Sequence, residues 1–300
     1  MKKKLISPEI RAKSLEFIYE KLSACSIRCL FSLAKLLALI VANTRNQLAT
    51  QCEENIDLCF ADLNKAQKKQ LKFDNIHHTC CNFFELAQIW HRPIDQVLAL
   101  ITQQDIPDSF HNPDKSKIIV APHQGSWELL NLWLAQQGQT LSLYKPTRNP
   151  HVDRYVIKSR SRNSAELVPI DTAGLRKLLH GLKHQASCMI LPDQKPRANK
   201  SCVSAPFMGH ATDTSLLIKN LARKSDCDIY IAAVTRDLKQ GSYSLQIELL
   251  DKNKITESDE ISAYYLNHSI EQFIRPEISQ YQWTYRRFPE QVYHDHKHSQ

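Results

Sequence analysis

The apolar residues of the chain follow two different patterns, and the pattern changes near residue 110. Before that point, apolar residues recur every three or four positions from Leu22 to Ala42 and again from about Leu71 to Trp90, which predicts helices. After it, short apolar runs alternate with segments of helical spacing. The predicted strands cover residues 117–121, 140–144, 166–170, 188–191, 229–236 and 242–250, with helices near 127–137, 152–163, 174–184, 212–224 and 258–275.

This alternation predicts an α/β fold with a mostly parallel central sheet flanked by helices, preceded by an N-terminal helical extension. We place the membrane-associating extension at residues 1–110, the α/β domain at 111–290 and a disordered, histidine-containing tail at 291–300. Ligands of such sheets bind at the carboxyl ends of the strands. His123 and Asp193 each follow a predicted strand within two residues, so both lie where a site is expected.

His123 and Glu128 are the leading candidates for catalysis. Pro122 and Gly125 break the strand and Ser126 can cap the next helix, which places the histidine in a loop and Glu128 in the first helical turn. If the carboxylate accepts the proton of one imidazole nitrogen, the other nitrogen is free to act as a general base for a hydroxyl. The same spacing also fits a helix cap or a surface ion pair.

Nucleotide-dependent enzymes are disfavoured by the glycine content of the chain. It has six glycines, and neither GxGxxG nor GxxxxGK[ST] occurs, so we expect no nucleotide cofactor. A serine hydrolase with Ser126 as nucleophile is a weaker alternative, because its GxSxG elbow is absent. The nine cysteines form no pair of CxxC motifs and indicate reduced thiols of a cytoplasmic protein rather than a metal site.

Positive charge is concentrated in one part of the chain. The net charge is +8, and residues 145–200 contain twelve Lys or Arg against four Asp or Glu, a surplus of eight. Such a segment is either a solvated basic face or a surface for phosphates, anionic lipid, an acidic carrier protein or nucleic acid. No RNA-binding motif or zinc finger supports nucleic acid, which we do not expect as a partner.

The segment from Leu22 to Ala42 predicts an amphipathic helix rather than a membrane span. Arg28 and Lys35 interrupt it, and its longest apolar run has seven residues, whereas a span needs about 20. Its apolar stripe either packs on the protein's own core or lies in a membrane interface, where nearby lysines would favour an anionic leaflet. The stripe contains Ile27, Leu30, Phe31, Ala34, Leu37, Ala38 and Val41.

Six segments of the chain resemble the late acyltransferases of lipid A biosynthesis, the lauroyl and myristoyl acyltransferases. The resemblance extends from roughly Leu22 to Pro289. This family is similar to the glycerolipid acyltransferases, which share the HxxxxD/E motif. Each segment is short, but the order of all six is that of the family. They are Asn55–Phe60, His123–Glu128, Tyr144–Pro146, Ser159–Arg162, Leu191–Gln194 with Pro206–Gly209, and Gln280–Phe288.

The resemblance implies transfer of a fatty acyl chain from acyl carrier protein to a hydroxyl of a lipid A precursor, without metal or cofactor. It places the enzyme at the cytoplasmic face of the inner membrane of a Gram-negative bacterium, peripheral or shallowly inserted. His123 would be the general base and Glu128 would orient it. Alternatives are the same reaction on another glycolipid or a lysophospholipid, and a non-catalytic lipid-binding protein.

The resemblance also suggests substrate-binding residues. Asp193 lies in a block that in the family helps to hold the acceptor head group, although Asp beside Pro is also a common turn former. Of Arg160 and Arg162, one contributes to the site in the family, and the local register leaves both open. Lys145 begins the basic segment that would meet the acidic carrier and the acceptor phosphates. The Trp283, Arg286 and Arg287 block fits either core packing or substrate contact.

Overall fold

The computed structural model describes residues 7–196 and 201–298. It confirms the α/β fold: a seven-stranded, mostly parallel sheet is flanked by helices and preceded by N-terminal helices. Lys2, Lys3 and Lys4, and Arg197 and Lys200 of the basic segment, lie outside the described residues. The strands of the described residues are β1 (Ile101–Asp105), β2 (Ser116–Val120), β3 (Thr140–Tyr144), β4 (Ala165–Pro169), β5 (Ser187–Ile190), β6 (Cys202–Phe207), β7 (His210–Ser215), β8 (Cys227–Asp237) and β9 (Ser242–Leu249).

The order of strands in the main sheet is β1-β9-β8-β2-β5-β3-β4. All neighbours are parallel except β8 and β9, which pair antiparallel. The central strands β2 and β8 are almost entirely buried, as expected of a sheet covered on both faces. β6 and β7 form a separate antiparallel hairpin.

Helices cover the sheet and build the N-terminal extension. Most begin at a side-chain cap, such as the Asn64 and Gln67 capping box that opens α4. They are α1 (Pro8–Leu22), α2 (Ile27–Ala42), α3 (Gln47–Cys59), α4 (Lys65–Phe84), α5 (Leu86–His91), α6 (Ile94–Leu98), α7 (Trp127–Gln137), α8 (Pro150–Arg160), α9 (Thr172–Leu182), α10 (Leu217–Ala222), α11 (Lys252–Thr256), α12 (Asp259–Ile274) and α13 (Glu290–His298).

Three predicted elements differ from the structure. The helix expected from about Leu71 to Trp90 begins earlier, at Lys65, and is divided at Glu85 into α4 and α5. The helix expected at 212–224 is divided between β7 and the short α10. The inward positions of β7 are Thr212 and Thr214, which are buried but polar, so the strand lacked an apolar signal. The tail expected to be disordered instead forms α13 as far as His298, since Tyr293 is buried and its hydroxyl donates to Asn55 Oδ1 at 2.6 Å.

The predicted apolar stripe of α2 faces the protein's own core. Five of its seven residues are buried, namely Ile27, Leu30, Phe31, Ala34 and Ala38, whereas Val41 is half-buried and Leu37 is 37% exposed. α2 packs mainly against α4. Among the described residues no single helix has both the length and the apolarity for a membrane span; α2 and α3 together meet both criteria but are bent by 81° at their junction.

Candidate active site

His123 and Asp193 meet because their strands are neighbours in register. β2 pairs parallel with β5, and Val120 lies opposite Ile190. His123 comes three residues after Val120, and Asp193 comes three residues after Ile190. The two loops therefore leave the same edge of the sheet side by side. The His123 Nδ1 lies 2.7 Å from Asp193 Oδ1, and the backbone N–H of His123 donates to Oδ2 at 2.8 Å. We call this pair the dyad.

The environment of Asp193 keeps it ionised. Its side chain is 1% exposed, and burial alone would raise its pKa. The positive charge that His123 carries when it is protonated, its two hydrogen bonds and the more distant Arg287 outweigh burial and hold the pKa of Asp193 below its ordinary value. The His123 ring is 14% exposed and packs edge-on against Trp127, with ring centroids 5.4 Å apart. An ionised Asp193 therefore holds the Nδ1 side of the ring and leaves Nε2 for another partner.

The loop after His123 is pressed against the sheet. Gly125 has φ +58°, and an added Cβ would lie 2.1 Å from the Val234 carbonyl oxygen, so only glycine fits. Ser126 does not cap α7 with its side chain. It is fully buried, and its Oγ donates to Glu85 Oε1 at 2.6 Å. A nucleophilic Ser126 would have to be accessible, so this geometry opposes the serine hydrolase alternative.

Glu128 contacts a different set of residues from those expected. Arg160 Nε donates to Glu128 Oε1 at 2.8 Å, Arg160 Nη2 donates to the same oxygen, and Trp90 Nε1 donates to Oε2 at 3.4 Å. We call Glu128 and Arg160 the ion pair. In the structure the side chain hydrogen-bonded to the His123 ring is that of Asp193, whereas the sequence pattern predicted Glu128. Glu128 does not contact His123 because its side chain, in the first turn of α7, points towards α5 and α8.

The two candidate arginines point in different directions. Arg160 ends α8 and lines the main cavity with its side chain 30% exposed. Arg162 binds backbone instead: its Nη1 donates to the Ile89 carbonyl and its Nη2 to the Arg92 carbonyl at 2.5 Å. Burial lowers the pKa of Arg162. Arg162 therefore connects the segment between α8 and β4 to the segment around α5. Of the two arginines, only Arg160 reaches the cavity.

A cavity of about 710 Å³ opens beside the dyad and the ion pair. Its polar side includes Lys145, Gln194 and Lys195 with His123 and Arg160. The apolar lining comes from the strands β3, β4 and β5, from residues that directly follow β4 and β5, and from two helices. It includes Leu143, Leu167, Ile170, Leu175, Met189, Ile190, Leu191, Leu217 and Ile218. The cavity thus joins a charged, basic rim to an apolar interior, which suits a ligand with an anionic head and a hydrocarbon chain.

Trp283 and Arg287 of the C-terminal block lie next to the dyad. Trp283 is 1% exposed, and its carbonyl accepts from Asn55 Nδ2 at 2.6 Å. Arg287 is 3% exposed and lies with Asp193 around a small void. Arg286 pairs with Glu54 and Glu290 on the surface side. These contacts fit the core-packing alternative, with Arg287 buried rather than solvated.

Sequence reasoning placed His123 and Asp193 at strand ends but did not pair them. The missing information was that β5 is the neighbour of β2. In the sequence Trp90 is only an apolar position of a predicted helix, and in the structure its indole N–H donates to Glu128. No local signal pointed to Glu85, which lies between α4 and α5 and is buried in contact with the His123 loop.

Comparison with known proteins identifies the family. Residues 17–290 match the family model described as bacterial lipid A biosynthesis acyltransferase. Two Haemophilus influenzae proteins, each described as a lipid A biosynthesis acyltransferase, are similar: one is 21% identical over 246 residues, the other 22% over 251. The alignments cover 80% and 82% of this chain and 77% of each relative. The chain belongs to the bacterial lipid A biosynthesis acyltransferase family and is an acyltransferase.

Proposed function

We propose that the protein transfers a fatty acyl chain from the thioester of acyl carrier protein to a hydroxyl of a lipid A precursor, with His123 as general base. The observation that carries the proposal is the dyad, with His123 Nδ1 2.7 Å from a buried Asp193 and the ring lining a cavity with a basic rim and an apolar interior. Family membership supplies the reaction class.

The dyad suits proton transfer from a hydroxyl. Asp193 accepts the Nδ1 proton, so Nε2 carries the lone pair that takes the proton of the acceptor hydroxyl as its oxygen attacks the thioester carbonyl. The C–S bond then breaks, and the imidazolium returns that proton to the leaving thiolate. Asp193 stabilises the imidazolium between the two steps, because its lowered pKa keeps it ionised.

The ion pair serves binding in this proposal. Glu128 holds Arg160 at the cavity rim, where a partly exposed guanidinium can meet an acceptor phosphate in a bidentate geometry. Lys145 and Lys195 add positive charge to the same rim. The exposed bases Arg148, Arg154 and Lys158 on and before α8 provide a surface for an acidic carrier protein.

The apolar interior of the cavity is the proposed site of the acyl chain. It is lined by leucine, isoleucine and methionine side chains from the strand ends and from α9 and α10. Each methylene moved from water into such a lining contributes about 0.8 kcal/mol. A chain held there would leave its thioester carbonyl at the mouth, near His123.

We also propose that the outer face of α2 rests on the membrane surface. Opposite the buried stripe, Leu33, Leu36 and Ile40 form a second apolar stripe with spacings of three and four, and the last two are 60% and 63% exposed. Exposed Lys35 and Arg45 flank it. A helix apolar on both faces, with one face already covered by the protein, suits the interface of an anionic bilayer that holds a lipid acceptor.

The test is reconstitution with purified protein. Carrier protein loaded with a radiolabelled acyl chain is mixed with a lipid A precursor in detergent, and parallel reactions contain a lysophospholipid or no acceptor. The proposal predicts label on the lipid A precursor with wild type and none with His123→Ala. Transfer only to the lysophospholipid would support another acceptor, and stable binding without transfer would support a lipid-binding protein.

A further inference from the structure

A buried ion pair lies directly beneath the loop that carries His123. Glu85, between α4 and α5, and Arg236, on β8, have side chains that are 1% and 0% exposed. Arg236 Nε donates to Glu85 Oε2 at 2.7 Å, and its Nη2 donates to Oε1 at 2.6 Å. The pair joins the N-terminal helices to the central sheet.

Both members of this pair also bind the loop itself. Arg236 Nη2 donates to the carbonyl of Gly125 at 3.0 Å, and Ser126 Oγ donates to Glu85 Oε1 at 2.6 Å. These loop residues come two and three positions after His123. Gln280 connects to the same centre: its side chain exchanges two hydrogen bonds with the backbone of Arg236, and its carbonyl accepts from the Gly125 N–H at 3.1 Å.

Stability alone is a poor explanation for such a pair. Removing two charges from water costs several kcal/mol per ion, and apolar side chains of similar volume often serve as well or better. An apolar pair could not bind the Gly125 carbonyl and the Ser126 hydroxyl, however. The charges of Arg236 and Glu85 are therefore explained by the two loop groups that they bind. Each of these groups is held by a charge-assisted hydrogen bond.

We propose that Glu85 and Arg236 are positioning residues that set the geometry of the reacting histidine. Asp193 fixes the ring of His123 from the β5 side, and Glu85 with Arg236 fixes the following backbone from the β8 side. The same two contacts fix the start of α7, and so the distance between the dyad and the ion pair. This inference rests on the proposed role of His123.

Two single-hydroxyl variants separate positioning from packing. Ser126→Ala removes the bond from the loop to Glu85 and leaves the buried pair intact. Tyr243→Phe is the matched control, since its buried hydroxyl donates to Glu85 Oε2 at 3.0 Å from β9 rather than from the loop. Glu85→Gln, which would be expected to fold less well, is measured beside them.

We expect Ser126→Ala to lower kcat about ten- to hundredfold with KM for the acyl donor within about threefold, because a displacement near 1 Å has effects of that size. Tyr243→Phe should lower Tm by about as much as Ser126→Ala does, and its kcat should stay within about twofold of wild type. Where Glu85→Gln folds, adding Ser126→Ala to it should cost little more, since both variants break the same contact.

Three results would overturn the inference. Equal kcat for Ser126→Ala and Tyr243→Phe would show a packing role only. A loss of kcat far above a thousandfold for Ser126→Ala would indicate direct chemistry by the hydroxyl. Full additivity with Glu85→Gln would show that the two residues act independently. His123→Ala in the same assay separates this test from the proposed function, because an active His123→Ala overturns the function whatever the other variants do.

Discussion

The dyad, through His123, and the ion pair line one cavity but are built in different ways. The dyad stands on loops that leave two adjacent parallel strands, with Asp193 buried and bound by both a ring nitrogen and a backbone N–H. The ion pair stands on α7 and α8, and its arginine is 30% exposed. A geometry fixed by strand register suits proton transfer, whereas a partly exposed arginine on a helix end suits binding of an anionic group.

The largest expected effect is that of His123→Ala. We expect kcat to fall about a thousandfold, within the range that a general base contributes. Circular dichroism checks that the variant is folded, since it leaves the buried Asp193 without its ring partner. His151→Ala, on α8, is the control histidine and should keep its rate. A His123→Ala protein with more than about a tenth of the wild-type rate would contradict the assignment.

Exchanging each carboxylate for its amide tests the division of roles between dyad and ion pair. Asp193→Asn should lower kcat about a hundredfold, because the amide neither fixes the Nδ1 proton nor stabilises the imidazolium. Glu128→Gln should act mainly on KM of the acceptor, raising it about tenfold with kcat within about threefold. Steady-state kinetics with varied acceptor measures both. The opposite outcome, with the larger kcat loss in Glu128→Gln, would return the orienting role to Glu128.

The two arginines provide a smaller, matched comparison. Arg160→Gln should raise KM for a phosphorylated acceptor about tenfold, since hydrogen bonds to charged groups contribute about 1.5–3 kcal/mol. It should also flatten the salt dependence of KM. Arg162→Gln should instead lower Tm with KM within about twofold, because Arg162 holds the Ile89 and Arg92 carbonyls. Indistinguishable kinetics of the two variants would remove Arg160 from the binding site.

The sequence predicted what depends on local pattern. Six of the main-sheet strands were identified within about two residues, and both dyad residues were placed at strand ends. The pairing of His123 with Asp193 depends on strand order, because β5 inserts between β2 and β3. That order is set by packing over the whole chain, and it cannot be deduced from the residue spacing within the His123 motif or the Asp193 motif. The HxxxxE spacing therefore indicated Glu128, which is close in sequence but faces Arg160.

Buried polar residues account for two further omissions, the strand β7 and Glu85. β7 turns Thr212 and Thr214 inward, where their hydroxyls bond to the carbonyl of Arg287 and to Asn267, so a pattern based on apolar residues missed the strand. Glu85 gave no signal for a related reason: its burial depends on Arg236, which follows it by 151 positions. In α2 the predicted stripe faces the core except at Leu37, which is 37% exposed, and the second apolar stripe on the outer face was not predicted.

The smallest expected effect concerns that outer face of α2. Ile40→Ser should weaken binding to vesicles that contain anionic lipid about fivefold, because removal of one half-exposed apolar side chain from the interface costs about 1 kcal/mol. Transfer to a detergent-dispersed acceptor should stay within about twofold, since α2 does not line the cavity. Leu249→Ser on β9, at 53% exposure, is the matched control and should bind vesicles as wild type does. Vesicle sedimentation measures binding, and light scattering after chromatography measures mass. If Ile40→Ser leaves vesicle binding unchanged and converts a dimer to a monomer, the face is covered by a second copy of the chain instead of by lipid.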